Sequence, residues 1–188
     1  MLNEPKQTIF PQEFAAAMGQ HVSSVCVITT ATGGDRFGLT ATAVSSVCAS
    51  PPRLLVCVNT SGQTHEKIIA AGTLCVNVLS EKQEDIAKAF AGMMGKDVAR
   101  FSMGEWTTLH TGSPVLKGSA ASLDCRIVTS MSQFSHSIFI CEVLATSLQQ
   151  GIDPLLYGAR RFRTLRHTMT PAATSETIDE TLDFWEVL

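Results

Sequence analysis

The chain has 188 residues, with 14 Lys and Arg against 17 Asp and Glu, so its net charge is −3. This length favours one domain with a sizeable core, and the lack of a basic excess argues against nucleic acid as the main partner. Because no apolar run approaches the ~20 residues that cross a bilayer and residues 1–12 lack an apolar leader segment, we expect a cytoplasmic protein whose six cysteines are reduced.

The first third of the chain combines one helical pattern with three strand patterns. Apolar residues at helical spacing predict a short helix over Phe10–His21 that covers one end of the core. Apolar, β-branched runs predict three strands, with turns at Gly33–Arg36 and Pro51–Pro52 between them: Ser24–Thr30, Phe37–Val47 and Leu54–Val58.

Two further helices and several strands are predicted in the rest of the chain. The helices lie at Glu66–Ala71, with Ile68 and Ile69 inward, and at Glu81–Ala91. Gly92–Thr111 has no periodicity and predicts a long surface loop. The strands are Thr73–Leu79, Ser119–Ile127, His136–Ser147 and a last one from Leu155 that residues 160–165 extend.

About seven strands against two or three short helices, without a regular strand–helix alternation, predict a mainly β (α+β) fold. We expect an antiparallel, Greek-key-like barrel over residues 1–166 with short flanking helices. An acidic tail follows at 167–188. The spacing of Ile178, Leu182 and Trp185 suits a short amphipathic helix, and a disordered tail is equally open.

The stretch Gly38–Pro52 is unusually polar for a segment that should build core. Its small hydroxyls belong to Thr40, Thr42, Ser45 and Ser46, with almost no charge among them. Neutral donors of this kind suit a phosphate-bearing ligand, although a half-exposed strand carries the same residues. The support for a site must therefore come from elsewhere in the chain.

A second polar segment, Asn59–Thr64, runs into the predicted helix at Glu66. Thr64 can cap that helix through its hydroxyl. Ser61, Gln63 and Thr64 can also receive a phosphate, because free amides and the positive end of the helix dipole converge there. Both functions are compatible with one loop.

No familiar catalytic motif accompanies these segments. The chain has no Gly-x-Gly-x-x-Gly, no Walker loop, no Gly-x-Ser-x-Gly and no His-Glu-x-x-His, and no Cys-x-x-Cys pair or Cys/His cluster with metal-ligand spacing. The acidic residues lie mostly on predicted solvated faces, and the five histidines are far apart in sequence. The chain is therefore a binding protein or an enzyme whose cofactor carries the reaction.

Five features between Phe10 and Leu165 match one family: Gly38–Val47 with Pro51–Pro52, Leu74–Leu79, Phe90–Gly92, His136 ahead of a strand, and Tyr157 before Arg161–Phe162. Together they resemble the short-chain flavin reductases, the reductase components of two-component flavin-dependent monooxygenases such as 4-hydroxyphenylacetate 3-monooxygenase. The resemblance implies a flavin-binding split barrel and NAD(P)H:flavin oxidoreductase activity, with FMN or FAD as cofactor and NADH or NADPH as co-substrate. It further implies a homodimer and a partner monooxygenase that receives diffusible reduced flavin.

The resemblance also implies roles for individual residues. Thr40, Ala41, Thr42 and Ala43 would lie at the edge of the isoalloxazine ring, with Ser45 and Ser46 near the ribityl chain and phosphate. Asn59, Thr60, Ser61, Gln63 and Thr64 would form the phosphate site, with Phe90 beside it. His136, the one residue assigned to catalysis, would lie where the nicotinamide nucleotide enters, and Tyr157, Arg160 and Arg161 would hold its phosphates or ribose. Stacking of the nicotinamide on the flavin would then replace a general base.

Two departures from the family leave alternatives open. Phe134 stands where relatives carry Gly, two residues before His136, and would narrow the nicotinamide pocket. The tail beyond Leu165 is longer than the family needs and would cover the site or serve the dimer. A histidine at a strand end, satisfied by backbone, is the other interpretation of His136. The alternative functions are a non-catalytic flavin-binding or flavoredoxin-like protein, and a structural barrel without flavin affinity.

Overall fold

A computed structural model of the chain describes residues 9–95 and 97–165. The acidic tail at 167–188 and its predicted helix lie outside the described residues, so the division into barrel and tail stays a prediction. None of the described helices is both long and apolar enough to cross a bilayer.

The α-helices of the described residues are α1 (Pro11–Met18), α2 (Gln63–Ala71) and α3 (Glu84–Phe90). Each overlaps a predicted helix. A 3-10 turn at Glu81–Gln83 leads into α3, and a second one lies at Arg100–Ser102 within the predicted loop. The helices are short and flank the strands, as the sequence predicts.

Three details of the predicted helices are wrong. Helix α1 buries none of its residues, so it does not cover the core. Ile69 is exposed, whereas its neighbour Ile68 is fully buried. The N-cap residue of α2 is Gly62 rather than Thr64, which lies inside the helix and donates its hydroxyl to the Gly38 carbonyl oxygen at 3.1 Å.

Each predicted strand has a counterpart, but two of them are divided. The predicted strand Phe37–Val47 is interrupted at Thr42 and Ala43, and residues 160–165 do not extend the last strand, because the chain turns at Ala159 and Arg160 and returns as a separate antiparallel strand. The strands are β1 (Ser23–Ser24), β2 (Cys26–Thr32), β3 (Asp35–Ala41), β4 (Val44–Ala49), β5 (Pro52–Asn59), β6 (Thr73–Val78), β7 (Trp106–Thr108), β8 (Pro114–Leu116), β9 (Ala121–Gln133), β10 (His136–Leu148), β11 (Leu156–Gly158) and β12 (Arg161–Arg163).

Seven of these strands form one antiparallel sheet in the order β3-β2-β6-β9-β10-β5-β4. Strands β3 and β4 follow each other in sequence but lie at opposite edges of this sheet. Because only Thr42 and Ala43 join them, the sheet must curl until its two edges nearly meet. The predicted antiparallel β class is confirmed, although the sheet is not closed by pairing of β3 with β4.

Two apolar clusters lie on the opposite faces of strand β2 and of Val25, the residue that precedes it. Cys26 and Ile28 point into the main core inside the curled sheet, where they meet residues such as Phe139. Val25 and Val27 point outward into a second cluster with α3 and β8. Burial on both faces explains why this strand is a continuous apolar run rather than an alternating one.

The second cluster includes an aromatic group that holds part of the predicted long loop in place. Phe101 and Trp106 pack against Phe90 of α3, with ring centroids 5.0 and 5.6 Å from it. Phe90 in turn lies directly behind Gly38, where an added Cβ would fall 2.7 Å from its ring. Glycine is therefore required at position 38 by the close approach of β3 to α3.

One buried side chain, Asn77 on β6, ties several of these strands together. Its amide is fully buried and lies within hydrogen-bond distance of six groups, one of them the Cys75 thiol on the same strand. The Nδ2 group donates to the Val27 carbonyl, the Thr29 hydroxyl and the Pro114 carbonyl, and the Oδ1 atom accepts from the Leu116 amide and the Ser122 hydroxyl. A buried amide satisfied in this way fixes strand positions that apolar packing alone leaves free.

We expect Asn77→Leu to lower the free energy of unfolding by about 3 kcal/mol, because buried donors and acceptors on several strands lose their partner at once. Ser122→Ala is the matched control and should cost about 1 kcal/mol, because Oδ1 of Asn77 keeps the Leu116 amide. Urea unfolding followed by circular dichroism measures both. An Asn77→Leu effect no larger than that of the control would contradict the assigned role.

Candidate functional site

Three neighbouring cavities meet at Thr42. Thr42 and Ala43 connect β3 to β4 across the opening of the curled sheet, and these two residues are called the link. Their volumes are about 660, 540 and 190 Å³, and Thr42 lines all three. The link places Thr42 and Ala43 between two sheet edges, where backbone groups are not all engaged in strand pairing. The break that sequence analysis did not predict is therefore the centre of the candidate site.

The largest cavity opens from the interior of the curled sheet. Its floor is apolar and includes Leu54, Leu123 and Val143, while Ser46 and Arg53 lie among its more polar lining residues. Arg53 is half-buried, and its Nε makes no hydrogen bond within the described residues. Such a cavity can take a flat apolar ring with polar groups at its edge.

The second cavity lies between α1, the Thr42–Ala43 link and the hairpin of β11 and β12. Tyr157 and Arg160 of the hairpin line it together with Ser45. Two residues of the hairpin turn, Ala159 and Arg160, have φ values of 50° and 59°. Left-handed conformations are strained for such residues and occur preferentially at binding sites. The turn therefore holds the Arg160 guanidinium group beside the link at a conformational cost.

The predicted phosphate loop begins at Asn59, the last residue of β5, two residues beyond Cys57, whose amide bonds to Ala43 of the link. The side chain of Asn59 accepts hydrogen bonds from the Ser61 amide and hydroxyl, both at 2.8 Å, and so forms a tight turn. The turn is followed by Gly62, the N-cap residue of α2. The first amide groups of α2 point out of this end of the helix. Gln63 and Thr64 occupy the first turn of α2, so this end presents the donors that an anion needs.

The loop is attached to the hairpin of β9 and β10. The carbonyl oxygen of Ser135 accepts from both the Thr60 amide at 2.9 Å and the Thr60 hydroxyl at 3.1 Å. His136 pairs with Asn59 across the β5–β10 ladder, and its Nδ1 lies 2.9 Å from the Ser135 hydroxyl. His136 is exposed and stands next to the loop.

His65 is a buried histidine that sequence analysis did not single out. Its Nε2 lies 2.8 Å from the Ser137 hydroxyl, and its ring centroid lies 5.7 Å from that of Phe139. It therefore connects the first turn of α2 to the strand that carries His136. A single histidine in a polar helical segment gives no sequence signal of such a contact, because the contact is made to a residue 72 positions away.

Strand β5 sets the distance between the loop and the link. Ala43 accepts a hydrogen bond from the Cys57 amide, and Ser45 lies opposite Leu55. From Asn59 to Leu55 the strand advances by roughly 13 Å. The phosphate loop and the Thr42–Ser45 segment thus flank one stretch of β5, and the surface along this stretch is called the groove below. The three cavities lie at its Thr42 end, and none of them is lined by a residue of the loop.

Not every predicted site residue lies in this groove. Phe90 is buried behind β3 and contributes to the fold rather than to a cavity wall. The Thr40 hydroxyl donates to the Ala87 carbonyl at 2.7 Å, although Thr40 and Ala41 line the smallest cavity. Arg161 is exposed on β12, whereas its neighbour Arg160 lines the second cavity.

Four of the six cysteines are buried and do not supply a reactive thiol. Burial raises the pKa of Cys26 and of Cys141 to about 12, and it also raises the pKa values of Cys75 and Cys125. Because the thiolate is the nucleophilic form, these four thiols are inert near neutral pH. No group of His, Cys, Asp and Glu side chains suited to a metal ion occurs in residues 9–95 and 97–165.

Comparison with known proteins gives a consistent result. Residues 18–166 match the family model described as flavin reductase like domain. The FMN reductase (NADH) RutF of Pseudomonas syringae pv. syringae (strain B728a) is 42% identical over 160 residues, which cover 85% of this chain and 89% of that protein.

Two solved structures extend this comparison. The NADH:FAD oxidoreductase SgcE6 of Streptomyces globisporus C-1027, in complex with NAD and FAD fragments, superposes with a TM-score of 0.78 at 28% identity, covering 90% of this chain and 99% of that one. The styrene monooxygenase flavin reductase of Pseudomonas putida S12 superposes with a TM-score of 0.74 at 25% identity, covering 82% and 97% of the two chains.

Proposed function

Because the chain belongs to the flavin reductase-like domain family, we propose that it is an NADH-dependent flavin reductase that supplies free reduced FMN or FAD to a partner monooxygenase. The observation that carries this function is the placement along β5 of a helix N-terminus, which follows Asn59, and of the exposed Ser45 and Ser46, which pair with Leu55 and Leu54. Of the relatives named above, one is an FMN reductase that uses NADH, one is an NADH:FAD oxidoreductase, and one is the flavin reductase of a styrene monooxygenase. These names do not favour a non-catalytic flavin carrier.

In this proposal the flavin has a defined orientation in the groove, with its phosphate at the loop and its ring at the link. The loop Asn59–Thr64 with the first turn of α2 binds the phosphate, and the link with Ser45 and Ser46 lies along the ring. The strand register favours this arrangement, because Ser45 and Ser46 pair with Leu55 and Leu54 and so lie farther from the loop than Ala43 does. A role for these two hydroxyls at the ring or ribityl chain suits the register better than a role at the phosphate.

The chain's own contribution to the reaction is to bind the flavin and the nicotinamide nucleotide and to orient one against the other. The flavin, when bound, supplies the hydride acceptor, so no side chain has to act as acid or base. Backbone groups of the link are placed to face the polar edge of a ring, where fixed dipoles stabilise developing negative charge. Tyr157 and Arg160 line the cavity beside the link, where they would hold the nicotinamide nucleotide against the ring.

The fold supports two finer points of the proposal. The curled, unclosed sheet with edges joined at Thr42–Ala43 suits the split barrel expected from the family resemblance. All six cysteines are unpaired, which suits a reducing cytoplasm.

The direct test is oxidation of NADH with added FMN or FAD, which should be flavin-dependent. Thr42→Glu should lower kcat/KM for the flavin by about 100-fold, because a carboxylate beside the ring must be buried without a partner. Ser46→Glu should act in the same direction. Thr107→Glu, on the exposed strand β7, is the matched control and should leave the rate unchanged.

A wild-type protein without flavin-dependent turnover would contradict the proposed function itself. Normal turnover by both Thr42→Glu and Ser46→Glu would instead show that the flavin lies elsewhere on the protein. Melting temperatures of the variants establish that a lost rate does not reflect a lost fold.

His136 is proposed to contact the nicotinamide nucleotide beside the loop. We expect His136→Ala to raise the KM for NADH about tenfold, the effect of losing one polar contact, with the KM for FMN unchanged. His110→Ala is the control, because His110 is also exposed but lies outside the β5–β10 ladder that places His136 beside the loop. An unchanged KM for NADH would leave His136 as a histidine that only terminates a strand.

A homodimer is also part of the proposal. Within residues 9–95 and 97–165, the apolar residues at the start of the described chain are not covered: Ile9, Phe10, Phe14 and Met18 are each more than half exposed. An apolar surface of this kind marks an interaction site. Sedimentation equilibrium should therefore give twice the 20.2 kDa of one chain. A single-chain mass throughout the micromolar range would refute the dimer without affecting the test of flavin reduction.

A further inference from the structure

The tip of the β9–β10 hairpin carries an aromatic residue in an unfavourable position. Phe134 has a φ of 49°, in the left-handed region, and its side chain is fully exposed with a relative accessibility of 101%. Large side chains are strained in this conformation, which glycine and asparagine adopt more easily. No burial of the ring offsets the strain, so the residue has no evident role in the stability of this chain.

The sequence-based expectation that Phe134 narrows the nicotinamide pocket is not supported by its position. Phe134 lines none of the three cavities at the link. Its ring instead projects from the hairpin tip into solvent. Strained residues cluster at ligand sites, so a ligand that covers the ring is the physical explanation to test.

The hairpin tip is joined directly to the phosphate loop. Ser135, the next residue, accepts two hydrogen bonds from Thr60, and His136 pairs with Asn59. Strand β10 runs from His136 opposite Asn59 to Glu142 opposite Arg53. Phe134 therefore lies beyond the loop, on the side away from the link where the ring is proposed to bind.

This location matches the part of a dinucleotide that lies beyond its phosphates. With the isoalloxazine ring at the link and the first phosphate at the loop, the adenosine half of FAD continues past the loop toward the hairpin tip. A bound NADH that shares this exit places its adenine in the same region. Both ligands thus offer a flat base to the exposed face of Phe134.

We propose that Phe134 is a stacking platform for the adenine base of a dinucleotide bound in this groove, an inference that rests on the proposed function. Stacking on an aromatic face is available to any base and needs no hydrogen-bond partner. The phenyl ring is the large apolar group at the tip, between Gln133 and Ser135, so the contact is by stacking rather than by charge. Phe134 would then favour adenine-containing cofactors over mononucleotides.

The test compares ligands with and without adenine in steady-state assays of the full chain. Three pairs are used: FAD with NADH, FMN with NADH, and FMN with reduced nicotinamide mononucleotide. Phe134→Gly and Phe134→Asn remove the ring and also suit the left-handed conformation, so both should fold. Phe134→Tyr keeps the stacking face and is the conservative control, and Phe134→Leu keeps an apolar side chain without an aromatic face.

Loss of stacking should raise one KM about tenfold in the Gly, Asn and Leu variants but not in the Tyr variant. If the adenine of FAD is the ligand, only the KM for FAD rises. If the adenine of NADH is the ligand, the KM for NADH rises with either flavin, while that for reduced nicotinamide mononucleotide is unchanged. Either result supports the proposal and identifies the source of the base.

Three results would overturn it. One is an unchanged KM for both FAD and NADH in Phe134→Gly. Another is an equal rise in the KM values for FMN, FAD and both nicotinamide donors, which would mean that the variant only distorts the loop. The third is a KM in Phe134→Leu equal to that of the wild type, which would mean that an aromatic face is not needed. A variant whose KM rises only because its oligomeric state has changed counts against the proposal in the same way. A wild-type protein that reduces FMN normally in the same assay shows that such a failure concerns Phe134 and not the proposed function.

Discussion

The buried amide of Asn77 is the constraint on which much of this structure depends. It joins β2, β8 and β9 to β6 through hydrogen bonds that no apolar side chain can replace. Apolar packing is tolerant of small slips, whereas an amide with fixed donors and acceptors is satisfied in one register only. By holding β8, Asn77 also holds the segment that includes Trp106, because β7 pairs with β8.

From that point a chain of contacts leads to the candidate site. Trp106 and Phe101 cover Phe90, and Phe90 lies against Gly38 on β3. Two hydroxyl groups further fix strand β3. The Thr40 hydroxyl of β3 donates to the Ala87 carbonyl of α3, and the Thr64 hydroxyl of α2 donates to the Gly38 carbonyl of β3. The link at Thr42–Ala43 therefore starts from a strand end that is held from three directions. This arrangement suits a site that works by orientation, where a small displacement of the ring would cost rate.

The sequence predicted the class of fold well because the strands carry clear patterns. The alternating residues of β9 and β10 and the continuous apolar run of β2 identify their burial directly. The division between β3 and β4 was missed because Thr42 and Ala43 continue the strand-like composition on both sides, and only the curling of the sheet makes a break there. The exposed face of α1 was missed for a related reason: helical periodicity reveals an apolar face but not what covers it.

The candidate site was predictable where local chemistry defines it and not where distant contacts do. The sequence predicts the turn at Asn59–Thr64 and the helix after it, because a run of small polar residues ahead of a helical pattern is a local signal; its role in binding phosphate stays a prediction. The positions of His65, Arg53 and Phe90 depend on residues far away in sequence, so no local pattern reports them.

The neutral character of the groove bears on what such an enzyme must do with its product. In the proposed function, hydroxyls, backbone amides and a helix end would bind the flavin, and Arg53 and Arg160 are the charged residues lining the two larger cavities. Strong uniform binding would lower KM without raising kcat and would hold the reduced flavin in place. A reductase that passes its product to another protein needs orientation during transfer and release afterwards. Neutral contacts spread along one strand would satisfy both requirements, so the placement of Ser45, Ser46 and the start of α2 along β5 suits the proposed function.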